Sequence, residues 1–144
     1  MKDSAGVIGI SPQDAWNLLQ SNPRAVFVDV RSNMEYLFVG HPVGAVHVAW
    51  IDEPDWQINP HFVTQIRQLL LGGVCGPEDD SRCAPVILIC RSGKRSLEAG
   101  KLLAKSGFAA VYNVTEGFEG ELDAQHHRST SGGWRFRGLP WEQC

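Results

Sequence analysis

Short, almost continuously apolar segments at 25–30 (AVFVDV), 45–49 (AVHVA) and Val86–Ile89 (VILI) most constrain what this chain can fold into. They are rich in β-branched residues and do not alternate with polar ones, the pattern of strands buried on both faces. Val111–Val114 is a further candidate, and Val7–Ile10 reads as an edge strand. Helical patterns lie between them. Ser11-Pro12 supplies an N-cap and a first-turn proline, Ala15, Leu18 and Leu19 follow at helical spacing, and Asn22-Pro23 stops the run. Phe62, Ile66, Leu69 and Leu70 share one helical face. Ala99, Leu102 and Leu103 share another, in a helix over 96–105 that Ser106-Gly107 ends. Strands and helices that alternate across short turns predict an α/β fold, a parallel sheet covered by helices. In such sheets the functional groups gather at the carboxyl ends of the strands.

The 144 residues suffice for one ordinary domain, and a 43% hydrophobic content is enough for a real core. A net charge of −3 argues against a broad nucleic-acid surface but says nothing of local charge. Cys75, Cys83, Cys90 and Cys144 show no C-x-x-C spacing and read mostly as free thiols of a reducing compartment. Residues 1–10 lack the apolar run of a signal peptide and no stretch reaches membrane-spanning length, so a cytoplasmic protein with no membrane partner is expected.

The chemistry concentrates where strand Val86–Ile89 ends. Cys90-Arg91-Ser92-Gly93-Lys94-Arg95-Ser96 links that strand to the helix after it. A glycine-containing turn there aims backbone N–H groups inward as an anion-binding nest, and the helix N-terminus adds a positive dipole. Arg91, Lys94 and Arg95 place three cations within five residues of an otherwise acidic chain. Each of these features favours a thiolate at Cys90, and the same cradle attracts an anionic substrate.

This segment resembles the active-site loop of the rhodanese (thiosulfate sulfurtransferase) family, Cys-Arg-x-Gly-x-Arg/Thr followed by a small hydroxyl residue. Upstream, Asp29-Val30-Arg31, Glu35-Tyr36 and Gly40-His41-Pro42-Val43-Gly44-Ala45 resemble the family's second signature, in the expected order. The resemblance implies one rhodanese-like domain across 1–144 with a core of about 11–141. It further implies a five-stranded, mostly parallel sheet with helices on both faces. Cys90 would take sulfur from a small anionic donor such as thiosulfate, hold it as a persulfide, and yield it to a thiol or cyanide, a protein thiol included. Arg95 and the loop amides would stabilise the persulfide, while Arg91 and Lys94 would draw in the donor. Ser92, Gly93 and Ser96 complete the binding loop, and no metal or organic cofactor is implied.

Asp29 and Arg31 admit two readings: a carboxylate that steadies the loops beside the active site, or a loop cap next to a surface arginine. Glu35 and His41 read as scaffold, and His47 as a packed histidine. His126-His127 with Asp123 hints at a metal, but adjacent histidines point apart and no matching Cys/His pair occurs at ligand spacing. Cys75 and Cys83 read as loop cysteines or as resolving thiols for the persulfide. The five tryptophans read as core and loop anchors. The long 50–85 segment and the Glu116-Gly117-Phe118-Glu119-Gly120 element depart from the usual family pattern and bear on the pocket entrance and the substrate.

Two rival functions remain. Phosphatases and arsenate reductases of related fold use Cys-x5-Arg, whereas only four residues separate Cys90 from Arg95, a loop too tight for a phosphate-sized oxyanion. A carrier that relays sulfur between proteins shares the persulfide chemistry with the enzyme.

Overall fold

The computed structural model describes residues 6–70 and 84–143. In chain order the elements are β1 (Val7–Ile10), α1 (Pro12–Ser21), β2 (Val26–Asp29), a π-helical turn (Glu35–Val39), β3 (His41–Pro42) and β4 (Val46–His47). Then come β5 (Ile51–Asp52), β6 (Gln57–Ile58), α2 (Phe62–Leu70), β7 (Val86–Ile89), α3 (Lys94–Lys105), β8 (Val111–Val114) and β9 (Trp141–Glu142).

The central sheet has the order β1-β8-β7-β2-β4. All four of its pairings are parallel, where the family resemblance implied a mostly parallel sheet. Two small antiparallel ladders, β3 with β9 and β5 with β6, lie outside it.

Because successive strand residues point to opposite faces, the apolar runs sort into two cores. Val28, Val86, Leu88 and Val111 pack with Phe62 and Ile66 of α2 and Ala99 and Leu103 of α3. On the other face, Phe27, Ile87, Ile89 and Val114 pack with Ala15 of α1 and with Phe118, Trp134 and Leu139 of the C-terminal segment. Cys90 continues the phase of Val86 and Leu88, so its side chain falls on the α3 side.

Helix starts and stops follow local chemistry. The Ser11 hydroxyl accepts from the Asp14 amide, and Asn22 caps the C-terminus of α1. Helix α3 begins at Lys94, two residues earlier than the pattern predicts, because Gly93 takes the N-cap position in the left-handed region. Leu102, expected on the core face, is 36% exposed. Of the tryptophans, Trp50 and Trp134 are buried, Trp56 is largely exposed, and Trp141 sets its ring at a steep angle to buried Phe118, 5.9 Å between centroids. No described helix is long and apolar enough to cross a membrane.

Candidate active site

Cys90 sits at the carboxyl end of β7 and is 1% exposed. Its Sγ accepts a hydrogen bond from the Gly93 amide at 3.1 Å and lies 3.2 Å from the Ser96 hydroxyl. The first intrahelical bond of α3 runs from the Leu97 amide to the Gly93 carbonyl, so the amides of Lys94, Arg95 and Ser96 are the unspent donors of the helix N-terminus. That positive end faces the sulfur.

Loop 117–120 fixes the backbone of the loop from behind. The Phe118 amide donates to the Cys90 carbonyl at 2.7 Å, and the Glu119 and Gly120 amides donate to the Arg91 carbonyl. With these carbonyls held outward, the N–H groups are left to the sulfur side. The approach is close enough to demand glycine on both strands of the contact. A Cβ on Gly93 (φ +99) would lie 2.3 Å from the Thr115 carbonyl oxygen, and one on Gly117 (φ +70) 2.4 Å from that of Arg91. The Glu116–Gly120 departure from the usual pattern is therefore the brace of the Cys90 loop.

The three loop cations divide into two kinds. Arg91 and Lys94 are exposed and hold no ion pair among the described residues. Arg95 is half-buried and paired with Glu35, Nη1 to Oε1 at 2.8 Å and Nη2 to Oε2 at 2.9 Å. Burial is the largest influence on Glu35 and disfavours its charge. The Arg95 guanidinium and the Ser32 amide and hydroxyl outweigh it and bring the pKa down to about 2. The same pairing raises the pKa of Arg95, with the nearby Cys90 and Asp29 adding to it. Glu35 is thus scaffold in a specific sense: it aims a loop cation. Its carboxylate is held by the Ser32 amide and hydroxyl, and the neighbouring Tyr36 ring stacks on His41 at 3.8 Å and on His47 at 4.6 Å. His47 is packed as expected, with Nε2 2.7 Å from the Arg31 carbonyl.

Arg31 is not a surface residue. It is fully buried, as is Asp29, whose Oδ2 accepts from Arg31 Nη2 at 2.7 Å and whose Oδ1 accepts from the Arg31 amide and Nε. The same Nη2 donates to the Gly40 carbonyl, and the guanidinium lies 4.6 Å from the Phe118 ring centroid. Asp29 and Arg31 therefore lock β2, the Gly40 turn and the brace loop together, and Asp29 acts on Arg95 of the Cys90 loop through its charge.

Asn113 was missed by sequence reasoning. It is buried on β8, its Nδ2 donates to the Gly93 carbonyl at 3.1 Å, and its Oδ1 accepts from Ser96 Oγ. The signal was a polar residue on the same side of a buried strand as Val111, where only a partnered polar group is tolerated. His126 and His127 are exposed, and the Asp123 carboxylate is taken up by the Gln125 and His127 amides and the Thr130 hydroxyl. Cys75, Cys83 and Cys144 lie outside the described residues. From the 50–85 segment, β5 reaches the site indirectly: Asp52 Oδ1 accepts from the Asn33 amide at 2.9 Å, bracing the loop that carries Glu35.

A thiol seated on a helix N-terminus at the end of a parallel strand, with a short basic loop around it, defines a rhodanese-like centre. The family model described as a rhodanese-like domain matches residues 11–123, and the chain belongs to that family. Among its relatives is the uncharacterized protein RC0915 of Rickettsia conorii, 30% identical over 94% of this chain and 98% of that protein. The thiosulfate sulfurtransferase GlpE of Actinobacillus pleuropneumoniae is 28% identical over 92% and 91%. In solved structures, Rv0390 from M. tuberculosis matches with a TM-score of 0.79 and 40% identity over 94% and 97% of the two chains. The polysulfide-sulfur transferase homodimer of Wolinella succinogenes matches with a TM-score of 0.56 and 27% identity over 97% and 81%.

Proposed function

We propose that the protein is a sulfurtransferase that moves sulfane sulfur from thiosulfate or a related persulfide donor to a thiol or cyanide, through a persulfide on Cys90. The observation that carries this reading is the seat of the Cys90 sulfur, with the Gly93 amide at 3.1 Å and the Ser96 hydroxyl at 3.2 Å under the head of α3.

The Cys90 thiolate attacks the outer sulfur of thiosulfate. A new S–S bond forms, the old one breaks, and sulfite leaves with the bonding electron pair. The terminal sulfur of the persulfide keeps one negative charge, which the free amides of α3 and the loop are placed to receive. An acceptor thiolate or cyanide then attacks that outer sulfur, giving an acceptor persulfide or thiocyanate and returning the Cys90 thiolate. Arg91 and Lys94, exposed and without an ion pair among the described residues, favour the approach of a dianion. The chemistry needs Cys90 reduced, which suits the cytoplasm, and the acceptor includes protein thiols. The relatives named for thiosulfate and polysulfide sulfur transfer support the same class.

Intact mass measurement after thiosulfate treatment tests it. A gain of one sulfur atom, absent in Cys90→Ser, is expected, followed by its loss to cyanide or a small thiol with turnover. Absence of any adduct overturns the reading. An adduct that only a protein thiol can remove assigns a sulfur carrier instead. Faster hydrolysis of an aryl phosphate than consumption of thiosulfate assigns a phosphatase.

A further inference from the structure

The Ser96 hydroxyl has one proton and two acceptors: Cys90 Sγ at 3.2 Å and Asn113 Oδ1. The orientation of the Asn113 amide is fixed by its other end, because Nδ2 faces the Gly93 carbonyl at 3.1 Å and a carbonyl can only accept. Oδ1 therefore faces Ser96 and can only accept as well. All three side chains are buried. The charged group of α3 that acts on Cys90 is Arg95, itself paired with Glu35, and it is present in every variant compared below.

We propose that Asn113 is a positioning residue that holds the Ser96 hydroxyl as a two-way donor, turned toward Asn113 while Cys90 is neutral and toward Cys90 when it is a thiolate. In the neutral state the Cys90 S–H donates to Ser96 Oγ, and the hydroxyl proton rests on Asn113 Oδ1. When the thiol proton leaves to solvent, the hydroxyl rotates and donates to the charged sulfur, a stronger acceptor. Asn113 Oδ1 then loses that donor, a cost that opposes ionisation. Asn113 thus restrains the thiolate, and Ser96 favours it. The consequence for turnover rests on the sulfur-transfer reading above. Once the negative charge moves to the outer sulfur of a persulfide, Asn113 takes the hydroxyl back. It gives it up again when the thiolate leaves with the acceptor's attack. No covalent bond changes in this step beyond the thiol's own ionisation.

The test is the pH profile of Cys90 alkylation by iodoacetamide in the full chain, which needs no sulfur donor. Asn113→Leu leaves the Gly93 carbonyl its bond from the Leu97 amide. Its half-maximal alkylation is expected at lower pH, with a rate below that midpoint raised about three- to tenfold, the ratio for one ordinary hydrogen bond. Ser96→Ala shifts the midpoint upward, and adding Asn113→Leu to it changes nothing more. A midpoint that is unchanged or raised in Asn113→Leu overturns the proposal, as does an Asn113→Leu effect that persists without the Ser96 hydroxyl. A merely structural role would not give that dependence. If Asn113→Leu fails to fold, the unsubstituted protein decides. The Asn113 side-chain amide resonance should titrate with the alkylation midpoint and lose most of that response in Ser96→Ala. A flat trace, or one unchanged in Ser96→Ala, overturns it. If no persulfide forms but the alkylation shifts hold, the function falls and the hydroxyl exchange stands.

Discussion

Glu35 and Arg95, 60 residues apart in the chain, meet in a bidentate ion pair that ties the turn after β2 to the head of α3. The pair lies in a partly buried setting, with side-chain exposures of 19% and 25%, and Ser32 donates twice to the same carboxylate. A cation of the Cys90 loop is thereby held at a set position.

The first prediction concerns acid stability. Glu35 has a folded-state pKa of about 2 against an ordinary value of 4.5, so its contribution is complete above pH 4.5 and is lost as the pH falls toward 2. At neutral pH it amounts to on the order of 2 kcal/mol after solvent screening. Denaturant unfolding between pH 7 and pH 2.5 should show Glu35→Gln less stable at pH 7, with most of that difference gone at the acid end. Parallel stability curves would contradict the pairing.

Arg95→Ala should lower kcat/KM for thiosulfate by about tenfold or more, through the loss of a charge-assisted donor beside Cys90. Arg95→Lys should recover only part of it, because an ammonium cannot reproduce the two-point contact with Glu35. Steady-state kinetics on folded variants checks both. Full activity in Arg95→Ala would remove Arg95 from the site.

Breaking the Asp29–Arg31 pair leaves a buried charge without its partner. Arg31→Ala or Asp29→Ala should each cost about 3–5 kcal/mol. The exposed Lys101–Glu98 pair is the control, where Lys101→Ala should change stability by less than about 1 kcal/mol. Chemical denaturation gives both values, and a small effect at Arg31 would mean that the interior relaxes around it.

Two glycines with the same backbone angle separate strain from crowding. Gly93 has φ +99 and its added Cβ would press on the Thr115 carbonyl, while Gly107 has φ +101 and meets nothing within 4 Å. Gly107→Ala should cost about 1–2 kcal/mol, the left-handed strain alone. Gly93→Ala should cost more and should slow Cys90 alkylation, because the amide that reaches the sulfur must shift. Equal melting temperatures for the two variants would refute the close contact.

Arg91 and Lys94 are exposed and hold no ion pair among the described residues, so in the proposed reaction their contribution is long-range attraction. Alanine at either position should leave the melting temperature unchanged, reduce kcat/KM for thiosulfate, and flatten its dependence on ionic strength. A rate equally sensitive to salt in the double variant would assign the attraction elsewhere.

Much of this was legible in the chain. The capping of α1, the extents of Val86–Ile89 and Val111–Val114, and the placement of Cys90 at a strand end follow from local preferences that neighbouring residues share. What escaped was the meaning of isolated polar residues. Arg31 reads equally as surface or interior until the Gly40 carbonyl, Asp29 and Phe118 are brought around it. Asn113 looks like one polar letter in an apolar strand until β8 sets it beside Ser96 and Gly93.

The sequence by itself determined the alternation of strands and helices, the two-faced core, and a cysteine in a short basic loop. These rest on periodicity, capping and residue chemistry, which act over a few residues. Only the tertiary structure decided how that loop is held: which cation Glu35 takes, which carbonyls the 117–120 segment grips, and which acceptor shares the Ser96 proton. Each of those is a contact between residues far apart in the chain, and their geometry exists only once the parallel strands have set them side by side.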